Sequence, residues 1–309
     1  MVDGNLNIVN RTSKTAELIC KTRAASFYEE NNQFKTHDFI APKLVSFFIQ
    51  PLFKFYLFRE IFHNIVLPSG MYEYIIARTK YIDRVFQKAI VESFDQIVLL
   101  GAGFDSRALR FLNKSKTKVF ELDSQKTQET KLRRLRRKNI NSHPNIYYIP
   151  VDFNQEYMSK KLIVGGFSMN KKTLFILEGL TMYLDNESIN RIFTLIDSFS
   201  GAGSEIIFDY IYQSVLWKEN TYYGEDEMHN MTARTHEPWT FGLEKEDVEQ
   251  FLKKYHFNLL ENNDARDLEN SFFSNKGGQV VGKINGTHCI AYAKKNDSAL
   301  STFKSISLT

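Results

Sequence analysis

From residue 96 onward, short apolar runs recur at 96–100, 118–122, 145–151, 173–178, 204–211, 257–261 and 288–293. They are rich in branched and aromatic residues, and segments of helical spacing separate most of them. This alternation predicts a mainly parallel sheet with helices on its faces. The last two runs are joined by a polar stretch containing Gly277, Gly278, Gly282 and Gly286, with no clear helix. That predicts a closing hairpin and one antiparallel strand. Before residue 91 no run reads as a strand. Thr15 to Glu30, residues 39–62 (broken near Pro42 and Pro51) and Met71 to Val91 read as helices. The last of these puts Tyr74, Ile75, Ile82, Val85, Phe86 and Ala89 on one face. The expected architecture is α/β: a doubly wound, mainly parallel seven-stranded sheet with an N-terminal helical cap. A single domain is expected over 1–309, with the cap over 1–90, the core over 91–296 and a frayed tail over 297–309. Residues 1–14 read as a flexible start.

The first strand, Gln96 to Leu100, runs into Gly101-Ala102-Gly103-Phe104-Asp105-Ser106-Arg107. Gly-x-Gly lets the chain turn sharply and lets a ligand approach the backbone. Asp105 to Asn113 then reads as a helix with an acidic N-cap. The second strand ends in Asp123, roughly 20 residues past the turn, the offset at which a carboxylate meets a ribose diol. Asp105 sits where a dinucleotide pyrophosphate would rest on a helix N-terminus, and a carboxylate there repels phosphate. S-adenosylmethionine carries a sulfonium and an ammonium and no phosphate, so the charges favour it as cofactor over NAD.

Composition narrows the classes. A formal net charge of +4 over 309 residues gives no case for nucleic-acid binding. The basic run Lys131–Lys138 reads as a solvated helix face. Cys20 and Cys289 are the two cysteines, which fits a reducing, cytoplasmic setting and excludes a disulfide scaffold. Leu44 to Val66 is aromatic and apolar, but charges and Pro51 interrupt it, so no membrane insertion is expected. No metal spacing appears among His, Cys, Asp and Glu.

Taken in order, Gly101–Arg107, Glu121-Leu122-Asp123, Val151-Asp152-Phe153 and Glu178-Gly179-Leu180-Thr181-Met182-Tyr183-Leu184 resemble the leucine carboxyl methyltransferase family. Thr15-Ala16, Arg23-Ala24, Ala77–Asp83 and Glu237–Leu243 are similar to its motifs as well. The resemblance implies a Rossmann-like methyltransferase fold and an S-adenosylmethionine-dependent O-methyltransferase. It implies that Gly101 and Gly103 pack on the cofactor, that Asp123 holds the ribose, and that Asp152 and Phe153 hold the adenine. Glu178 would pair with the ammonium of the methionine part, and Arg78 with its carboxylate. Lys21 or Arg23 is a second candidate for that carboxylate. Tyr183 lies in the family motif near methyl transfer and is the candidate catalytic residue.

A carboxylate acceptor, with a pKa near ~4, is ionised at pH 7 and needs no base; a hydroxyl acceptor would need one, with His236 as the candidate. Tyr210 to Trp239, extended to about 243, reads as a substrate lid. The expected function is methylation of a carboxylate on a small molecule or protein C-terminus, without nucleic-acid partners or membrane insertion. The alternatives are an NAD-dependent oxidoreductase and an inactive interaction module of the same fold.

Overall fold

The computed structural model describes residues 12–153, 158–235 and 237–296. The expected flexible start, residues 12–14 apart, and the expected tail fall outside them.

The strands are β1 (Gln96–Leu100), β2 (Lys118–Asp123), β3 (Ile146–Pro150), β4 (Thr173–Leu177), β5 (Glu205–Ile211), β6 (Phe257–Asn263) and β7 (His288–Lys295). They form one seven-stranded sheet in the order β3-β2-β1-β4-β5-β7-β6. β1 to β5 pair in parallel, and β7 pairs antiparallel with both β5 and β6. The expected antiparallel strand is therefore β7, but it lies inside the sheet. Its connection to β6 is not a bare loop. Ala265–Phe272 is a helix opened by a capping box, in which Asp264 and Asp267 each accept the other's backbone N–H.

Strand periodicity divides the core. Ile97 and Leu99 face one buried cluster, and Val98 and Leu100 face the other. The first cluster packs under the cap, whose helix Met71–Val91 buries Tyr74, Ile75, Ile82, Val85, Phe86 and Ala89 as its spacing predicts. The second packs against helices Met158–Val164, Asn186–Phe199 and Val248–Lys253. Pro42 and Pro51 begin short helical pieces rather than ending longer ones. The stretch 39–62 is thus three pieces, Ala41–Leu44, Gln50–Lys54 and Tyr56–Ile61, continued by a π turn at Phe62–Val66.

The basic run is only partly solvated. Lys131 is fully buried on Glu121, and Arg134 pairs with Glu17 and lies 4.8 Å over the Phe104 ring. Arg133, Arg136 and Arg137 remain exposed.

Candidate functional site

The chain leaves β1 toward β2 on one side and returns to β4 on the other. A crevice opens where such a sheet reverses its winding, at the carboxyl ends of its strands. Here it is a cavity of about 900 Å³, reached by the ends of β1, β2 and β4 and closed from above by the helix Lys14–Phe27. Arg23, Arg78, Gly101, Gly103, Asp123, Asp152, Phe153, Glu178 and Tyr183 all line it. Lys21 does not. It lines a separate hollow of about 310 Å³ with Cys20, Val45, Ile49 and Arg134. His236 lies outside the described residues.

The glycine turn is built by the neighbouring strand. Gly101 and Ala102 both donate to the Leu122 carbonyl at 2.9 Å. Gly101 has φ 72°, and a Cβ there would stand 3.2 Å from Leu180. Any side chain at 101 is both strained and crowded. Asp123 closes the turn: its Oδ2 accepts from Gly103 N at 2.6 Å and its Oδ1 from Ser124 N at 2.7 Å. Burial pushes its carboxyl above the usual value, against the pull of those backbone donors. The following helix starts at Arg107 and not at the expected Asp105. Asp105 instead accepts from Arg107 N at 2.6 Å and pairs with the Arg107 guanidinium.

Beneath the turn lies a buried charge network. Arg107 is fully buried and joins Asp83 at 2.8 Å, Glu178 at 2.6 Å and Asp105. Arg78 reaches Glu178 at 3.1 Å and Asp209 at 2.5 Å. Asp209 also accepts from Gly179 N at 2.6 Å and from the Tyr74 hydroxyl at 3.1 Å. Burial pushes Glu178 up, but Arg107 and Arg78 outweigh it and hold the carboxyl below its usual value. The same contest, won by Arg107 and Arg23, brings Asp105 to about 2. Arg23 donates to the Phe104 carbonyl at 2.7 Å and faces Asp38 at 3.4 Å. Four guanidinium nitrogens in this network, Nε and Nη2 of Arg78, Nε of Arg23 and Nη2 of Arg107, are buried without a hydrogen-bond partner, although Arg78 Nε faces Glu178 at 3.1 Å as an ion pair.

Of the expected lid, the end reaches the cavity. Glu237, Pro238 and Thr240 line it, and Thr240 N donates to the Met182 carbonyl at 2.7 Å. Glu237 accepts from the Thr15 hydroxyl, which ties this rim to the first helix. Tyr183 stands beside them in a short helical turn, Thr181–Tyr183, and burial raises its phenol. The sequence reading left Arg107, Asp83, Asp209 and Glu237 without roles. Asp209 carried a signal: it is the charge inside Ile206-Ile207-Phe208-Asp209-Tyr210-Ile211, where a carboxylate must find a partner.

The leucine carboxyl methyltransferase family model matches residues 29–197. The chain belongs to this family. The family match takes in Arg78, the glycine turn, Asp123 and Glu178, and leaves Arg23, Asp209 and Glu237 outside it. Among individual proteins, the chain is 28% identical to YktD of Bacillus subtilis over 202 residues, 65% of this chain and 66% of that protein. It is 33% identical to a Mycobacterium avium protein over 134 residues, 43% of this chain and 42% of the other. Both are provisionally named S-adenosyl-L-methionine-dependent methyltransferases. The match thus spans just under two thirds of the first relative and less than half of the second. A solved Thermobifida fusca structure, provisionally described as a methyltransferase, shares the fold of this family member. Its TM-score is 0.52 at 14% identity, over 89% of this chain and 94% of that one.

Proposed function

We propose that this protein transfers the methyl group of S-adenosylmethionine to a carboxylate. One observation carries the reading. Among the described lining residues, six carboxylates (Asp105, Asp123, Asp152, Glu178, Asp185, Glu237) meet three cations (Lys14, Arg23, Arg78), and Nη2 of Arg78 is buried with neither a hydrogen bond nor an ion-pair contact. Such a lining suits a ligand with two positive centres and one carboxylate, and repels a pyrophosphate.

The residues fit that cofactor. Asp123 would accept from the ribose hydroxyls, a charge-assisted bond. The free Nη2 of Arg78, with Arg23 beside it, would take the methionine carboxylate, and Glu178 the ammonium. Asp152 and Phe153 would hold the adenine. When bound, the cofactor supplies an electrophilic methyl group on a sulfonium.

The protein's part is alignment and water exclusion. An acceptor carboxylate is already ionised at neutral pH, with a pKa near ~4. No histidine is among the described lining residues. Burial keeps the Tyr183 hydroxyl protonated, so it can donate to the acceptor and orient it. The acidic lining would repel an acceptor carboxylate until the sulfonium is in place, which makes binding ordered, cofactor first. The test is calorimetry with S-adenosylhomocysteine and NAD, then transfer of labelled methyl to small carboxylic acids and peptide C-termini. Labelled methanol released by mild base identifies a methyl ester. Binding of NAD without S-adenosylhomocysteine overturns the cofactor, and a base-stable product overturns the carboxylate.

A further inference from the structure

Two sequence features that the cavity does not use are neighbours in the structure: the aromatic stretch behind the first helix and the exposed end of the basic run. Ten of the nineteen large apolar side chains that stand exposed among the described residues fall between Phe39 and Val66. Phe47 is 70% exposed, Phe48 83%, Leu57 69% and Ile65 76%. The Lys138 ammonium lies 5.5 Å from the Phe47 ring centroid and donates to Gln50 at 3.1 Å. Lys43 lies 5.6 Å from the Phe39 ring. Arg134 donates to the Leu44 carbonyl at 2.8 Å, which holds the basic helix Gln125–Arg137 against this stretch.

The charge around these side chains is mainly positive, with Glu17 and Glu29 already paired to Arg134 and Arg59. Glu60 is the only carboxylate between Phe39 and Val66. Among the described residues, Lys43, Lys54, Arg136, Arg137 and Lys138 form no ion pair. Docking a second copy through a two-fold axis would set these cations against their own images. The exposed rings sit on short successive turns, and none of them lines the neighbouring hollow, which is the concave site at hand for a partner's side chains. A bilayer surface needs no groove. It takes aromatic and aliphatic side chains at headgroup depth and lysine and arginine at its phosphates. We propose that this face attaches the protein peripherally to a membrane rich in anionic lipid. The attachment is interfacial, since no helix of the described residues is long and apolar enough to cross a membrane.

The test is co-sedimentation of the full chain with phosphatidylcholine vesicles, with and without about 30% phosphatidylserine. The protein should pellet with the anionic vesicles, leave them at high salt and ignore the neutral ones. Lys43→Glu and Lys138→Glu should each weaken binding about fivefold. The double variant Phe47→Ser/Phe48→Ser should weaken it more than tenfold while keeping the wild-type urea midpoint. The proposal fails if the wild type does not bind anionic vesicles, binds neutral ones equally, or binds undiminished in the serine variant. It fails also if light scattering finds a dimer that the serine variant splits, with no vesicle binding, which would assign the face to a second copy.

Discussion

Arg107 and Glu178, 71 residues apart in sequence, meet at 2.6 Å beneath the cavity. The same guanidinium serves Asp83 and Asp105, so one cation holds three carboxylates. Arg107→Ala should cost about 3–5 kcal/mol of stability, the range for stranding buried charge. The sign of its pH dependence follows. Asp105 falls from 3.8 to about 2 on folding, so its contribution is present above about pH 4 and lost as pH falls toward 2. In the variant, with the Arg107 guanidinium gone, burial is opposed by Arg23 and Lys131 at Asp105 and by Arg78 and Arg23 at Glu178, so both carboxyls rise and acid relieves them. Urea denaturation should show the gap between wild type and variant narrowing from pH 7 to pH 3; a constant gap would contradict the network.

The structural pairing of Arg78 and its proposed contact with the cofactor carboxylate separate experimentally. Arg78 pairs with Asp209, which is fully buried, so Arg78→Ala should destabilise the fold as well as the site. Arg78→Lys keeps the charge but not the two-pronged geometry. It should bind S-adenosylhomocysteine about tenfold more weakly while adenosine, which lacks the carboxylate, binds as to wild type. Equal weakening of both ligands in calorimetry would leave Arg78 a structural role only.

Asp123→Ala should weaken S-adenosylhomocysteine by roughly 10- to 150-fold, the worth of hydrogen bonds to a charged acceptor. Asp123→Asn keeps an oxygen for the Gly103 N–H, so it retains the turn and loses only the charge. Its dissociation constant should fall between those of wild type and Asp123→Ala. Identical constants for the two variants would mean that the turn, and not the charge, matters.

Two buried groups should give opposite slopes in mild acid. Burial, helped by Arg78, brings His288 down to about 3, so the folded state takes up its proton late. That contribution is present above pH 6.5 and is lost as pH falls below it. Burial raises Glu121 to about 7 against the pull of Lys131, so the folded state takes up that proton early and gains stability as pH falls from 7 to 4.5. Between about pH 4.5 and 6.5 they offset each other. His288→Phe should therefore become more stable than its neutral-pH value as acid is added, and Glu121→Gln less stable. Each slope approaches about 1.4 kcal/mol per pH unit. Denaturation curves at pH 5 and 7 decide it.

Asp264→Ala removes the cap of helix Ala265–Phe272 and a Lys245 contact at 2.6 Å. It should cost about 1 kcal/mol, as N-cap losses do, and leave ligand affinity unchanged. Altered S-adenosylhomocysteine binding in this variant would mean that β6 and β7 are coupled to the cavity.

These outcomes bear on what the sequence could and could not tell. β1 to β5 were legible because a strand buried on both faces writes an apolar run that local order reveals. The glycine turn and Asp123 were legible because their spacing is set by one strand–helix–strand unit. The Arg107–Glu178–Arg78–Asp209 network was not, since its members come from four separate segments and meet only when the sheet forms. Lys21 and Arg23 could not be separated by eye: two residues apart on a helix lie about 200° around its axis, so Arg23 enters the cavity and Lys21 faces the neighbouring hollow. The helix Ala265–Phe272 was hidden by the glycines that follow it, although Asp264 and Asp267 carried its cap.

The interior position of β7 sets an order of events during synthesis. β6 has β7 as its sheet neighbour, and β5 stays an open edge until His288–Lys295 inserts between them. Asp209, which anchors Arg78, pairs in register with Ile290. Most of the cavity wall therefore leaves the ribosome well before the strand that locks its anchor. A nascent chain stopped short of residue 288 would present the β5 edge to solvent, to chaperones or to another chain. Among the described strands β7 is the last made, so the ligand affinity of chains cut before residue 288 should show whether the Asp209 anchor needs its sheet neighbour.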